Sequence, residues 1–107
     1  MAEIPENIIQ VIIKYIEEVA KDITIDRVII FGSYAKNSYN SDSDIDIAIF
    51  SEDFEDSKKI EFMSYLLIKT SGLGYDIQPQ PFSLEDLRNP EGIVKEIIDT
   101  GIELKVA

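Results

Sequence analysis

Between residues 4 and 21 the apolar positions recur at intervals of three and four: Ile8, Ile9, Ile12, Ile13, Ile16, Val19 and Ala20. That spacing is the helical period and predicts an amphipathic helix resting on a core. Pro5 suits its first turn, and Glu3 and Glu6 lie near its positive end. The pattern then changes. Arg27-Val28-Ile29-Ile30-Phe31 is short, β-branched and apolar, which predicts a buried strand. Gly32 permits a tight turn after it. Ser33 is placed to cap a short helix through Tyr34, Ala35 and Lys36, and Asn37 can take the left-handed geometry that ends it. A polar loop from Ser38 to Ser43 leads into Asp44–Phe50, which alternates with period two. Ile45, Ile47 and Ile49 face one way, Asp44 and Asp46 the other.

Residues 56 to 71 predict a second helix with the stripe Ile60, Met63, Leu66 and Leu67, ended by Gly72 and Gly74. Tyr75 to Phe82 alternates again but contains Pro79 and Pro81. Proline cannot donate to a ladder, so this is an edge strand or one that pairs over its first half only. Ser83-Leu84-Glu85-Asp86 signals the start of a short helix. Gly92 to Thr100 predicts another, closed by Gly101, and Ile102 to Val106 a last short strand. The order predicts one α/β (α+β) domain over residues 1–107: a small mixed β-sheet with helices packed on one face and its acidic edge open.

Composition narrows the chemistry. The chain has 107 residues, no cysteine and no histidine, so acid–base or metal work falls to Asp, Glu, Lys or Tyr. The net charge is -11, with only 10 basic residues. Binding to a phosphate backbone depends on Lys and Arg, so the charge disfavours nucleic acid, and no nucleic-acid partner is expected. A basic protein surface, or a nucleotide carried with its metal, fits better. The sequence has no long apolar run and no leader pattern, which predicts a cytoplasmic protein that does not enter a membrane.

Asp44 and Asp46 share a strand face roughly 7 Å apart. Aspartate is disfavoured inside a strand, and two like charges on one face repel. Mg²⁺ removes the conflict, since it takes hard oxygens, commonly one or two carboxylates with substrate phosphates. Gly32-Ser33 offers backbone N–H groups where phosphate can bind. Asp76 opens a later strand and would stand beside Asp44 and Asp46 if that strand pairs with theirs. Lys36 could counter a phosphate. Each feature alone has an ordinary reading: Gly-Ser as a turn, Asp-Ser-Asp as a turn, Asp76 and Lys36 as solvated side chains, Tyr34 and Tyr39 as packing. Together, Gly-Ser, ten residues and Asp-x-Asp arise in on the order of one random chain of this length per thousand.

On these residues the chain resembles the minimal nucleotidyltransferases (MNT) of the DNA-polymerase-β-like superfamily, marked by G-S-x10-D-x-D. Gly32-Ser33 and Asp44-Ile45-Asp46 carry that motif, and Ala35 and Lys36 extend it. Asn37 stands where the family usually has glycine, a mild departure because Asn tolerates left-handed geometry. The resemblance implies the nucleotidyltransferase fold over essentially the whole chain. It implies Asp44 and Asp46 as Mg²⁺ ligands, with two ions and Mn²⁺ as a substitute. It implies Asp76 as third ligand or base, and Gly32, Ser33 and Lys36 as the triphosphate site for ATP. Members this short resemble the antitoxin half of HEPN–MNT pairs, some of which adenylylate a tyrosine of the HEPN toxin. The expected activity is transfer of AMP from ATP to such a partner. The alternative is a non-catalytic antitoxin that binds nucleotide and inhibits its partner stoichiometrically. A homo-oligomer stays open. A DxD glycosyltransferase or an acidic phospho-receiver domain leaves Gly32-Ser33 without a task, and the Gly-Lys-Ser/Thr of a P-loop is absent.

Overall fold

The computed structural model describes residues 4–105, so Glu3 and Val106 lie outside the described residues. The elements follow in the order α1 (Glu6–Val19), β1 (Arg27–Phe31), β2 (Ile45–Phe50), a 3-10 turn (Asp56–Lys58), α2 (Lys59–Ile68), β3 (Ile77–Phe82), α3 (Leu84–Arg88), α4 (Gly92–Thr100) and β4 (Ile102–Leu104). Four strands form one mixed sheet in the order β3-β2-β1-β4. β1 is antiparallel to both β2 and β4. β2 and β3 are parallel, and α2 lies in the crossover that such a pair needs.

α1 buries Ile8, Val11, Ile12, Tyr15, Ile16 and Val19. Val11 and Tyr15 complete a narrower stripe than the isoleucines alone predicted, with Ile9 and Ile13 on its flank. The Tyr15 hydroxyl donates to the Leu66 carbonyl at 2.7 Å, tying α1 to α2 inside the core. Burial, then the neighbouring Tyr65, pushes the Tyr15 phenol well above its ordinary value. α2 is not the regular helix expected over 56–71. It starts after a 3-10 turn, and Leu66 is its buried anchor. Phe62 and Tyr65 pack beside that anchor, while Ile60 and Leu67 point to solvent. Of the expected stripe, Leu66 is buried and Met63 half-buried, while Ile60 and Leu67 are exposed.

The mixed α/β sheet is as expected; its covering is not. α1 and α2 share one face with Val28, Ile30, Ile45, Ile47, Ile49 and Ile77. α4 packs on the opposite face, where Val94 and Ile97 meet Ile29, Ala48, Phe50 and Phe82. Helices therefore take both faces rather than one. The reason is that the face carrying Asp46 turns apolar two residues later, at Ala48 and Phe50, and needs its own cover.

β3 is an edge strand and pairs along its full length, from Ile45↔Ile77 to Phe50↔Phe82. The prolines do not shorten it. The Asp76 carbonyl accepts from Ile45 of β2 and the Phe82 carbonyl from Ser51 just beyond it, so the even-numbered residues aim their backbone groups inward. Pro79 and Pro81 aim outward, where no donor is required. Ser83 caps α3 as expected, its Oγ accepting from the Asp86 amide at 3.3 Å while Asp86 accepts from the Ser83 amide at 3.0 Å. No helix among the described residues is long and apolar enough to cross a membrane.

Gly101 joins α4 to β4 and donates to the Ile97 carbonyl at 2.7 Å. A Cβ there would overlap Ile29 and lie 3.0 Å from the Ile30 carbonyl. Gly101→Ala should cost roughly 1–3 kcal/mol in urea unfolding, because β4 must move away from β1. An unchanged midpoint would show that β4 is only loosely seated.

Candidate active site

The acidic edge is where one strand ends and two begin. β1 runs antiparallel to β2, so the end of β1 meets the start of β2, with Phe31 opposite Asp46. β3 runs parallel to β2, with Ile45 opposite Ile77. One residue earlier, Asp44 falls opposite Asp76. The Ile45 amide fastens that pairing by donating to the Asp76 carbonyl at 2.8 Å. Topology thus gathers Gly32, Asp46, Asp44 and Asp76 in that order across the sheet end.

Asp44 and Asp76 are within side-chain hydrogen-bonding reach. That bond, and then the Asp76 charge, raise the Asp44 carboxyl above its ordinary value. Asp46 is half-buried, and burial raises its carboxyl first, followed by the charges of Asp44 and Asp76. Gln78 donates from Nε2 to Asp76 Oδ1 at 2.8 Å and orients that carboxylate. Two carboxylates can share a hydrogen bond only with a proton between them, and a cation can replace that proton. Among the described residues no group of three or more His, Cys, Asp or Glu side chains is arranged to hold a metal ion. Mg²⁺ is commonly held by one or two carboxylates, with waters and substrate phosphates completing its shell, so the Asp44–Asp76 pair is the part of the site that fits it.

Gly32 has φ 74°, the left-handed region. A side chain there would also run into Asp46, with a Cβ overlapping Oδ2 and 3.2 Å from Cγ. Glycine is required twice, for the turn and for the carboxylate behind it. The short helix expected after Ser33 is a run of turns instead. The Lys36 amide donates to the Gly32 carbonyl at 3.1 Å and the Ser38 amide to the Ser33 carbonyl at 2.9 Å. Asn37, at φ 58°, turns the chain back after a single turn, as its left-handed tolerance predicted. Among the described residues, no backbone carbonyl takes the Ser33, Tyr34 or Ala35 amides. The turn therefore keeps donors for an anion without being a helix.

Tyr34 is buried and stacks on Tyr39 with ring centroids 4.5 Å apart, so this pair packs the loop. Asn40 then braces the approach to Asp44: its Oδ1 accepts from the Asp42 amide, and its own amide donates to Ser43 Oγ, both at 2.8 Å.

Lys36 sits on the β1 side. Its Nζ is 3.7 Å from Glu96 Oε1 on α4, and with Gly32 it lines a cavity of about 210 Å³. On the β3 side, Asp76 lines a larger cavity of about 590 Å³ with Asn7, Tyr39 and Tyr75. Sequence reasoning missed Asn7, Tyr75 and Glu96. Asn7 and Tyr75 are 68 residues apart and meet through an Asn7 Nδ2–Tyr75 Oη bond of 2.9 Å. No local pattern announces such a pair.

Comparison with known proteins bears on this arrangement. Residues 12–102 match the family model described as the nucleotidyltransferase domain. The chain is 31% identical over 99 residues to a Methanocaldococcus jannaschii protein named "Putative protein adenylyltransferase", covering 87% of this chain and 98% of that one. A crystal structure of a "putative nucleotidyltransferase from Sulfolobus solfataricus" superposes with a TM-score of 0.67 at 19% identity, over 96% of this chain and 89% of the other. A crystal structure described as "the toxin-antitoxin with AMP-PNP" gives a TM-score of 0.59 at 23% identity, over 92% and 73%. At those identities the two structures speak to the fold alone.

Proposed function

Since this chain belongs to the nucleotidyltransferase-domain family, we propose that it transfers AMP from ATP, with Mg²⁺, to a tyrosine of a HEPN-like toxin partner in the cytoplasm. One observation carries the reading. The register of β2 with β3 sets Asp44 beside Asp76, and Asp46 lies against the Gly32 turn. Carboxylates and anion-binding amides thus share one sheet end with no basic cluster. A triphosphate reaching such a site needs compensating cations, which is what Asp44, Asp46 and Asp76 would hold. Bound there, Mg²⁺ would neutralise phosphate charge and make the acceptor oxygen more nucleophilic.

The remaining work falls to the chain itself. The Ser33–Ala35 amides and Lys36 grip the leaving phosphates at the end of β1. The half-buried Asp46 fixes the turn against the carboxylates. Asp76, oriented by Gln78, faces the incoming hydroxyl and takes its proton. The name of the M. jannaschii relative favours a protein acceptor, and the toxin–antitoxin likeness favours a toxin in that place. The charge of -11 adds long-range attraction for a basic partner surface.

The test is mass spectrometry of a HEPN-like partner encoded beside this chain, after incubation with ATP and Mg²⁺. Wild type should leave an AMP adduct on a partner tyrosine, and Asp44→Asn/Asp46→Asn should leave none. A complex that forms without any adduct would mean inhibition by binding alone.

A further inference from the structure

We propose that the cavity between the start of α1 and the Asp76 end of β3 is the acceptor pocket, and that it takes a tyrosine side chain flanked by basic residues. The proposal rests on the transfer reading above and adds to it where the acceptor sits and what selects it.

Position comes first. Attack on the α-phosphorus and departure of pyrophosphate are in line, on opposite sides of that atom. Gly32 and Lys36 line the cavity on the β1 side, and the donor amides of the turn are there too. Pyrophosphate therefore leaves toward β1, and the attacking oxygen arrives from the β3 side. Of the three aspartates, only Asp76 lines the large cavity there. Its volume of about 590 Å³ is in the range of ligand sites.

Chemistry comes second. The lining contains Asp42 and Asp76 and no Lys or Arg, while the amides and the Lys36 that suit phosphates lie on the β1 side. Tyr39 and Tyr75 offer rings, and Asn7 offers a neutral amide already bonded to Tyr75. Such a wall fits a neutral aromatic hydroxyl and favours cations beside it. In the step itself, the phenolic oxygen forms a bond to the α-phosphorus. The bond from that phosphorus to the α,β-bridging oxygen breaks, and pyrophosphate leaves with the electron pair. The phenolic proton passes to the Asp76 carboxylate.

The experiment is an NMR titration of the ¹⁵N-labelled protein, saturated with Mg²⁺ and α,β-methylene-ATP. The probes are a blocked Lys-Tyr-Lys peptide and a blocked Glu-Tyr-Glu peptide. The basic peptide should shift the amides of Asn40 and Gly74 and the Asn7 side chain. It should bind at least about tenfold more tightly than the acidic one. Tyr75→Ala and Asn7→Ala, both at exposed positions, should weaken it about tenfold and leave nucleotide affinity within about twofold. The idea is overturned if neither peptide shifts these groups. It is equally overturned if the variants lose nucleotide affinity in step with peptide affinity, which would make the cavity the nucleoside's. Peptide binding of the expected pattern without any AMP transfer would refute the transfer reading and keep the pocket as a docking site for a basic tyrosine segment.

Discussion

Asp46→Asn should raise the melting temperature of the metal-free protein at neutral pH while removing nearly all transfer activity. The wild-type carboxyl is raised above its ordinary value by burial and by Asp44 and Asp76. A group raised in the folded state binds its proton more tightly folded than unfolded. Its contribution to stability is fully present below the unfolded value of about 3.9 and is lost as pH climbs through the raised folded value. At pH 7 the charged Asp46 therefore works against folding, and asparagine does not. The melting gap should favour the variant at pH 7.5 and close toward about pH 4. Added Mg²⁺ should raise wild type and move the variant far less, by mass action. Transfer should fall by roughly 10²–10³-fold or more, since one organising charge is gone from the reacting phosphate. Thermal melts at both pH values and single-turnover labelling of the partner make the check. A variant that melts lower at pH 7.5 would assign the Asp46 charge to structure rather than to a site.

Gly32→Val should damage both fold and site. Valine is poorly tolerated at φ 74°, and its Cβ would displace the Asp46 carboxylate. Backbone strain and overlap together cost roughly 2–5 kcal/mol. Nucleotide binding should drop with the displaced carboxylate and the distorted turn. Ser33→Ala, which keeps the backbone, should cost much less on both counts. Urea unfolding and titration with α,β-methylene-ATP separate the effects. A Gly32→Val protein of near wild-type stability and affinity would remove Gly32 from the site.

Much of this was readable in the chain because it was local. The period of α1, the alternation of β2 and the Ser83 capping box each fit within one element. The motif from Gly32 to Asp46 could be read because a single turn and loop span it. The two-sided covering of the sheet could not, because Ala48 and Phe50 looked like the tail of a half-exposed strand until α4 met them. The buried side of α2 was legible only in part, at Leu66 and Met63. Ile60 and Leu67 are as apolar as Leu66, and only the packing of the folded chain separates the buried Leu66 from the two exposed ones. Asp76 beside Asp44 depended on a parallel register that no sequence period encodes.

The outward-facing prolines of β3 also govern how this molecule can meet others. A sheet grows when a new strand finds free N–H donors along an open edge. On that rim Pro79 and Pro81 leave Ile77 as the one donor among the outward residues of β3. The opposite rim, β4, is only three residues long and carries Glu103, which is paired with Arg27. Neither rim templates an incoming strand. Self-templated stacking into fibrils is disfavoured at both ends of the sheet. Strand addition being disfavoured at both rims, helices and loops are the surfaces left for a partner, the loops around Asp76 among them.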